Sequence, residues 1–456
     1  MADVPAHAGS TRWKTRLVAL TPRRFRGHWE RLEQSPLGER LARGTFWSIV
    51  GGGASRALGL LAWILVARRL DKEAFGEIGM IQSTVGIFGV LAGVGMGMTA
   101  TKHVAEFRLR DPARAARLIR LSNRIAWWAS LVVAGAVWLL APWLAEHTLG
   151  RADLTGVVRI STGLLLLGGV QGAQGGALAG LEAFRTVARL NIVSGLVSFP
   201  LLVLGAVWGG VGGTIWALNA NAAVGVLLHH VALRREMALA RLPEGHSWDR
   251  RDLPVLWRFT LPAALGALVT SAVQWGCWGI LARRPDGYDA LGAFNGANQW
   301  FLALMFLPNL LAQSVLPLMA EQLGQDRHHQ GRRLLGFAMK VNALVVVPVL
   351  LLSLASPWIM GLFGRSFRGD WPTLVVVLLT AVFLSVQTPV GQIITASGRV
   401  WAGFWMNVGW AVVFVWATFA WASWGGLGLA TARLAAYAAH SIWALWYALR
   451  LLRREE

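Results

Sequence analysis

Residues 44–80 read GTFWSIVGGGASRALGLLAWILVARRLDKEAFGEIGM: an apolar run, a basic turn and the start of a second apolar run. The first run, 44–67, is longer than the roughly 20 residues an α-helix needs to cross about 30 Å of hydrocarbon. Arg56 stands close to its centre. A charge at that depth costs several kcal/mol and is normally retained only inside a cavity or against a partner. The GGGAS segment before it permits close backbone approach and gives the guanidinium little side-chain shielding. Two readings fit these residues: a cation facing a cavity, or an arginine that caps carbonyls of a kinked helix.

Composition extends the pattern to the whole chain. The 456 residues are 55% hydrophobic and 14% charged, with a mean hydropathy of +0.50. A soluble chain of this length would need far more polar surface. Further apolar stretches follow at 77–100, 125–149, 154–180, 188–207, 211–232, 253–282, 289–318, 337–360, 372–396, 401–420 and 425–448. The expected fold class is an all-α integral membrane protein of about 12 transmembrane helices. A β-barrel would show alternating segments of about ten residues instead. Pro200, Pro262, Pro308, Pro348 and Pro389 fall inside the runs and predict bends. No small-residue cleavage pattern precedes the first run, so a cleaved signal peptide is not expected. Cys277 is the single cysteine, which excludes a disulfide framework and a cysteine metal site; it reads as a core or lipid-facing hydrophobe.

Twelve spans place both termini on one side, and most of the 43 Lys and Arg residues collect there. The positive-inside rule assigns that side to the cytoplasm. Its clearest loop, 101–124, carries Lys102, Arg108, Arg110, Arg114, Arg117, Arg120 and Arg124, with the spacing of a basic amphipathic helix on anionic headgroups. Anionic membrane lipids thus account for the net charge of +20 without nucleic acid. Near the N-terminus, Trp13, Phe25 and Trp29 alternate with arginines, as in an interfacial segment or a disordered basic tail. Trp127, Trp128, Trp138 and Trp143 lie near span ends and read as interfacial anchors.

The basic turn recurs. Residues 65–76 read LVARRLDKEAFG and 281–292 read LARRPDGYDALG, which sets Gly76 and Gly292 216 positions apart. The same offset relates Gln82 to Asn298, Gln171 to Gln387, Gly175 to Gly391 and Asn191 to Asn407. Two homologous bundles follow, each entered in the same orientation because each holds an even number of spans. Parallel repeats related by an axis along the membrane normal suit alternating access at a site between them. The expected boundaries are a basic cytoplasmic segment 1–43, a first bundle 44–232, a cytoplasmic linker 233–252, a second bundle 253–449 and a cytoplasmic tail 450–456.

Polar residues inside the runs are the candidate substrate contacts. Asn295, Asn298 and Gln299 share one helical face, and Asn309 and Gln313 recur four residues apart on nearly the same face. Such amides either bind polar substrate groups or hold helices together, at roughly 0.6–2 kcal/mol per contact. Gln274 and Trp275 form another candidate pair, and Arg433 is a second intramembrane cation near the outer interface. None of the 23 acidic residues lies near the middle of a run, which points to an anionic cargo.

Residues 44–80, with Ala67, Arg68 and Arg69 preceding Phe75 and Gly76, and VLAGVGMGMTATKHVAEF at 90–107 resemble the polysaccharide-transporter branch of the superfamily that also contains multidrug and toxin extrusion transporters. The likeness continues more diffusely through all the runs. It implies two parallel six-helix bundles arranged as a V around a central, positively charged cavity, with alternating access. The implied activity is flipping of undecaprenyl-diphosphate-linked oligosaccharide repeat units across a bacterial inner membrane, by a transporter and not an enzyme. Lipopolysaccharide or exopolysaccharide synthesis is the implied process. Arg56 falls where relatives carry intramembrane basic residues and would balance the diphosphate, helped by Asn298 and Gln299. Related lipid II flippases usually add two C-terminal helices, and multidrug relatives commonly depend on membrane carboxylates; this chain has neither feature. No cofactor or metal is expected, and the coupling ion or potential is left open. A monomeric transport unit is expected, with a polysaccharide polymerase and glycosyltransferases as possible partners. The alternatives are a drug or metabolite exporter and a nontransporting scaffold for polysaccharide-synthesis enzymes.

Overall fold

In the computed structural model, residues 36–93, 95–243, 261–311, 328–344, 346–397 and 399–453 are described. Every described regular element is helical. The first half runs α1 (Pro36–Arg69), α2 (Lys72–Gly93), α3 (Met96–Phe107), α4 (Pro112–Trp143), α5 (Thr155–Gly180) and α6 (Phe184–Leu239). The second runs α7 (Leu261–Ala282), α8 (Gly287–Leu304), α9 (His328–Ala343), α10 (Val346–Leu354), α11 (Ser356–Gly361), α12 (Trp371–Ala396), α13 (Val400–Trp421) and α14 (Gly425–Arg453). Eight helical stretches among the described residues are long and apolar enough to cross a membrane. Large apolar side chains face outward, including Trp208 at 80% exposure and Leu139 at 71%. A soluble protein would bury them; here lipid is their solvent. The chain is a multi-pass membrane protein.

Some of the longest helical stretches contain hairpins. In α6 the backbone turns at Gly210 (φ 55, ψ −134), a conformation open to glycine and strained for other residues. The chain folds back so tightly that a Cβ on Gly213 would overlap the Gly205 carbonyl. The turn between α13 and α14 repeats the device: Gly425 adopts φ 61, ψ −135, and a Cβ on Gly428 would overlap the Trp421 carbonyl. Two sequence-distant glycines thus take one unusual backbone conformation.

The repeat-related helices α2 and α8 meet at their paired glycines. A Cβ on Gly76 would overlap the Tyr288 carbonyl, and one on Gly292 would overlap the Lys72 carbonyl. Lys72 and Tyr288 are themselves related by the 216-residue offset, so the contact is reciprocal. Gln171 and Gln387 behave alike: Gln171 lies against Gly225, and Gln387 accepts a hydrogen bond of 2.9 Å from Ser441 at the corresponding position. Helices without a hydrophobic drive to associate in lipid approach through such small residues.

Three expectations need correction. The stretch 77–100 is not one helix: Gly95 enters the left-handed region (φ 65), ending α2 early and starting α3. The basic loop 101–124 is not a free amphipathic helix either. It is the end of α3, a turn, and the first turns of α4, whose start is set by Asp111 accepting from the Arg114 amide at 2.9 Å with Pro112 behind it. Two of its cations are engaged: Arg108 pairs with Glu182 at 2.5 Å, and Arg114 lies 4.2 Å from the Phe107 ring centre. Third, Arg433 does not reach an interface; it is 4% exposed. Of the expected linker 233–252, residues to Leu239 continue α6, and 244–252 lie outside the described residues.

Candidate substrate cleft

The glycines before Arg56 set how α1 sits. A Cβ on Gly51 would come within 2.5 Å of the Ala188 Cα in α6, and one on Gly52 within 2.5 Å of the Phe306 ring beyond α8. Close approach on both sides brings the next turn of α1 to the junction of the two halves. There Ser55, Arg56, Gly59, Leu60 and Trp63 face Gln299, Leu302 and Ala303 of α8 across a cavity of about 180 Å³. Arg56 is exposed in this cleft and has no hydrogen-bond or ion-pair partner among the described residues. Gln299, half-buried, also donates to Asn295 Oδ1 at 3.3 Å. Arg56 and Gln299 are thus brought together from opposite halves of the chain.

The remaining candidates lie elsewhere. Asn295 is buried and donates to the Phe75 carbonyl at 3.2 Å, joining α8 to α2. Asn298 is buried inside the second bundle and accepts 2.8 Å from Arg433 Nη1. The Arg433 guanidinium also lies 4.9 Å from the Phe294 ring centre and 4.4 Å from that of Phe301. Trp275 Nε1 donates to Thr84 Oγ1 at 3.0 Å, another tie between halves, and Gln274 is half-buried beside it. Asn309 is exposed on the helical turn 306–311, and Gln313 lies outside the described residues. The 295/298/299 face is therefore divided among three surroundings. Its helix is enclosed on several sides, so a shared face does not mean a shared neighbour.

Gly59, Leu60 and Trp63 were not singled out from sequence, although they stand three, four and seven residues after Arg56 on one helical face. The polar ties at Thr84 and Phe75 carried no sequence signal, because a backbone carbonyl or a lone threonine stands in no distinguishing pattern.

One end of the cleft is closed by contacts between the halves. Lys72 Nζ lies 3.1 Å from Asp370 and 3.6 Å from Asp289, Arg68 Nε donates to the Leu362 carbonyl at 2.5 Å, and Tyr288 donates to the Leu149 carbonyl at 2.8 Å. Arg151, in the neighbouring turn, binds Glu73, Glu77 and Asp153 at 2.7–3.0 Å. Its hydrogen bonds to Asp153 and Glu73 hold the guanidinium pKa above its ordinary value. Lys72 and Arg151 thus have carboxylate partners at this end. Arg56 does not share in that network.

Residues 41–323 match the family described as "Polysaccharide biosynthesis protein". The chain belongs to this family. Among its relatives is the EPS I polysaccharide export inner membrane protein EpsE of Ralstonia nicotianae, 26% identical over 82% of this chain and 85% of that protein. The lipid III flippase of Escherichia coli is 23% identical over 57% of this chain and 62% of its own length. The fold of this polysaccharide biosynthesis family member is shared with a multidrug resistance MATE family transporter of the MOP superfamily in its inward-facing conformation. That match has a TM-score of 0.73 at 15% identity and covers 89% of this chain and 98% of that one. The chain therefore shares the all-helical, multi-pass fold of that structure.

Proposed function

We propose that this protein flips undecaprenyl-diphosphate-linked oligosaccharide units from the cytoplasmic to the periplasmic leaflet of a bacterial inner membrane, for surface polysaccharide synthesis. The observation that carries this reading is Arg56: an unpaired guanidinium at membrane depth, opposite Gln299 of the other half. The physical task is to carry a hydrophilic glycan and its pyrophosphate past the hydrocarbon while the polyprenyl chain stays in lipid. A polar cleft spares the headgroup dehydration, and arginine offers a planar fork of donors that matches phosphate oxygens. A single cation suits a carrier that must also release its cargo. The amide of Gln299 supplies a donor and an acceptor for glycan hydroxyls or phosphate. Family membership and the names of the relatives support polysaccharide export as the process.

In this reading the basic end of the molecule, with the α3–α4 turn and the end of α6, is cytoplasmic. The end closed by Lys72, Asp289 and Asp370 is periplasmic, and alternating access requires those contacts to break as the opposite end closes. An ion gradient or the membrane potential would bias that exchange, and a polymerase and glycosyltransferases would act on either side of it. The test is direct: proteoliposomes loaded with a fluorescent polyprenyl-diphosphate oligosaccharide, scored by protection from a membrane-impermeant quencher. Protein-dependent exchange between leaflets is expected. A rate equal to that of empty liposomes would reject transport and favour a scaffolding role.

A further inference from the structure

A second, larger cavity of about 970 Å³ opens on the first bundle, between α4, α5 and α6, and it shares no lining residue with the Arg56 cleft. Its two long walls are graded in the same direction. Along α4, Arg120 and Arg124 give way to Trp127 and Trp128; along α6, Arg234 and His230 give way to Leu227, Val226 and Ala223. At 1.5 Å per residue, Arg124 and Trp128 are about 6 Å apart along the axis, and Arg234 and Leu227 about 10 Å. The cations of the cavity therefore stand at the end nearest the termini of these helices, among Ile119, Leu233, Met237, Ala238 and Leu242, with the tryptophans one turn further in and apolar side chains beyond. Among the described residues no acidic side chain lines it. Gln174, 4% exposed, and Asn123 belong to its lining, and each holds a buried side-chain carbonyl oxygen with no partner among the described residues. Arg120 additionally donates to the Pro243 carbonyl at 3.1 Å, which ties the chain after α6 over the basic end.

We infer that this cavity is a built site for one anionic phospholipid, its phosphate between Arg124 and Arg234 and its acyl chain along Trp128 and Leu227. A soluble anion would gain nothing from the tryptophan and leucine walls. A bulk anionic surface would need neither a concavity of this size nor a buried amide in its lining. A lipid meets these groups in order: phosphate against arginine, the acyl boundary at the tryptophans, and the chain against the apolar end. Two arginines free to close on one phosphate suit the single charge of a phosphodiester. The inference does not depend on the flippase reading, because its measurement is of binding and involves no transport.

Native mass spectrometry of the detergent-purified full chain, titrated with phosphatidylglycerol, tests it. Wild-type protein should bind one phosphatidylglycerol at least about tenfold more tightly than phosphatidylcholine, with a rise in melting temperature. Arg124→Gln with Arg234→Gln should weaken that binding by about tenfold or more, since both basic groups attract the phosphate. Both arginines are exposed, so the variant should fold; Arg235→Gln, exposed but outside the cavity lining, is the control and should bind as wild type. Leu227→Gln should also weaken binding. Equal binding of the two lipids, or an unchanged double variant, would overturn the site. Full displacement by inorganic phosphate would make it a soluble-anion site, and strong preference for a polyprenyl diphosphate would replace the phospholipid with the carrier lipid; either result overturns the assignment.

Discussion

Arg56 and Arg433 carry the same charge at membrane depth, and the protein surrounds them in opposite ways. Arg433 is 4% exposed, bonded to Asn298 and flanked by the rings of Phe294 and Phe301, all within the second bundle. Its Nε and Nη2 have no partner among the described residues. Arg56 is exposed in a cleft built by both halves, with glycines and a serine around it. Neither cation meets a carboxylate among the described residues. The difference teaches that intramembrane charge alone does not mark a binding site. What matters is whether the surroundings close on the charge, as they do at Arg433, or leave a space into which a second molecule can bring the counter-charge.

The largest effect should fall on Arg433. Arg433→Ala removes a large side chain from a packed interior and leaves Asn298 Oδ1 without its donor. A loss of about 2–5 kcal/mol in unfolding free energy is expected, read as a lower melting temperature and poor yield in detergent. Arg433→Met refills the volume without the charge and should recover a large part of that loss, since a buried ion replaced by apolar volume is often tolerated. If Arg433→Ala folded like wild type but failed to transport, the assignment of the two arginines would have to be exchanged.

Next comes Arg56. Arg56→Ala leaves an open cleft and breaks no contact among the described residues, so its unfolding free energy should stay within about 0.5 kcal/mol of wild type. Flipping in liposomes, normalised to folded protein, should fall by about tenfold to a hundredfold, the scale of one charge-assisted contact. Arg56→Lys keeps the charge but loses the planar fork and should recover only part of the rate. Near-normal flipping by Arg56→Ala would remove Arg56 as the anchor for the diphosphate. Loss of folding and transport together would return it to a structural role.

These two residues also show how far the sequence could be read. The apolar runs, the offset of 216 and the place of Arg56 in a glycine-rich helix are all local or periodic features, and they anticipated the helical membrane fold. Gly76 and Gly292 stood out as matched letters, and the structure shows them in reciprocal contact. The partners of Asn295 and Arg433 were not legible. A polar residue on a membrane helix announces that something must satisfy it, yet the satisfying group is a carbonyl at Phe75 or an amide 135 residues away. The split of the basic loop was legible in principle, through Asp111 and Pro112, but charge density drew attention from the helix-start signal.

The smallest effect should come from the closed end of the cleft, where cations have carboxylates and the contrast with Arg56 is sharpest. Lys72 pairs with Asp370 at 3.1 Å and keeps Asp289 at 3.6 Å, with side-chain exposures of 17%, 27% and 48% respectively. Partly hydrated pairs of this kind contribute about 0–1 kcal/mol. Asp370→Asn removes one of two acidic partners and adds no unpaired buried charge. It should therefore shift the balance between closed and open ends by less than about fivefold. Spin labels at the exposed Arg69 and Arg284 positions would report that balance as a change in the distance distribution. A small added long-distance population is expected, because the Gly76–Gly292 crossing and the Arg68 and Tyr288 hydrogen bonds remain. Complete opening of this end in Asp370→Asn would mean that one ion pair, and not the close packing of α2 on α8, holds the two halves together there.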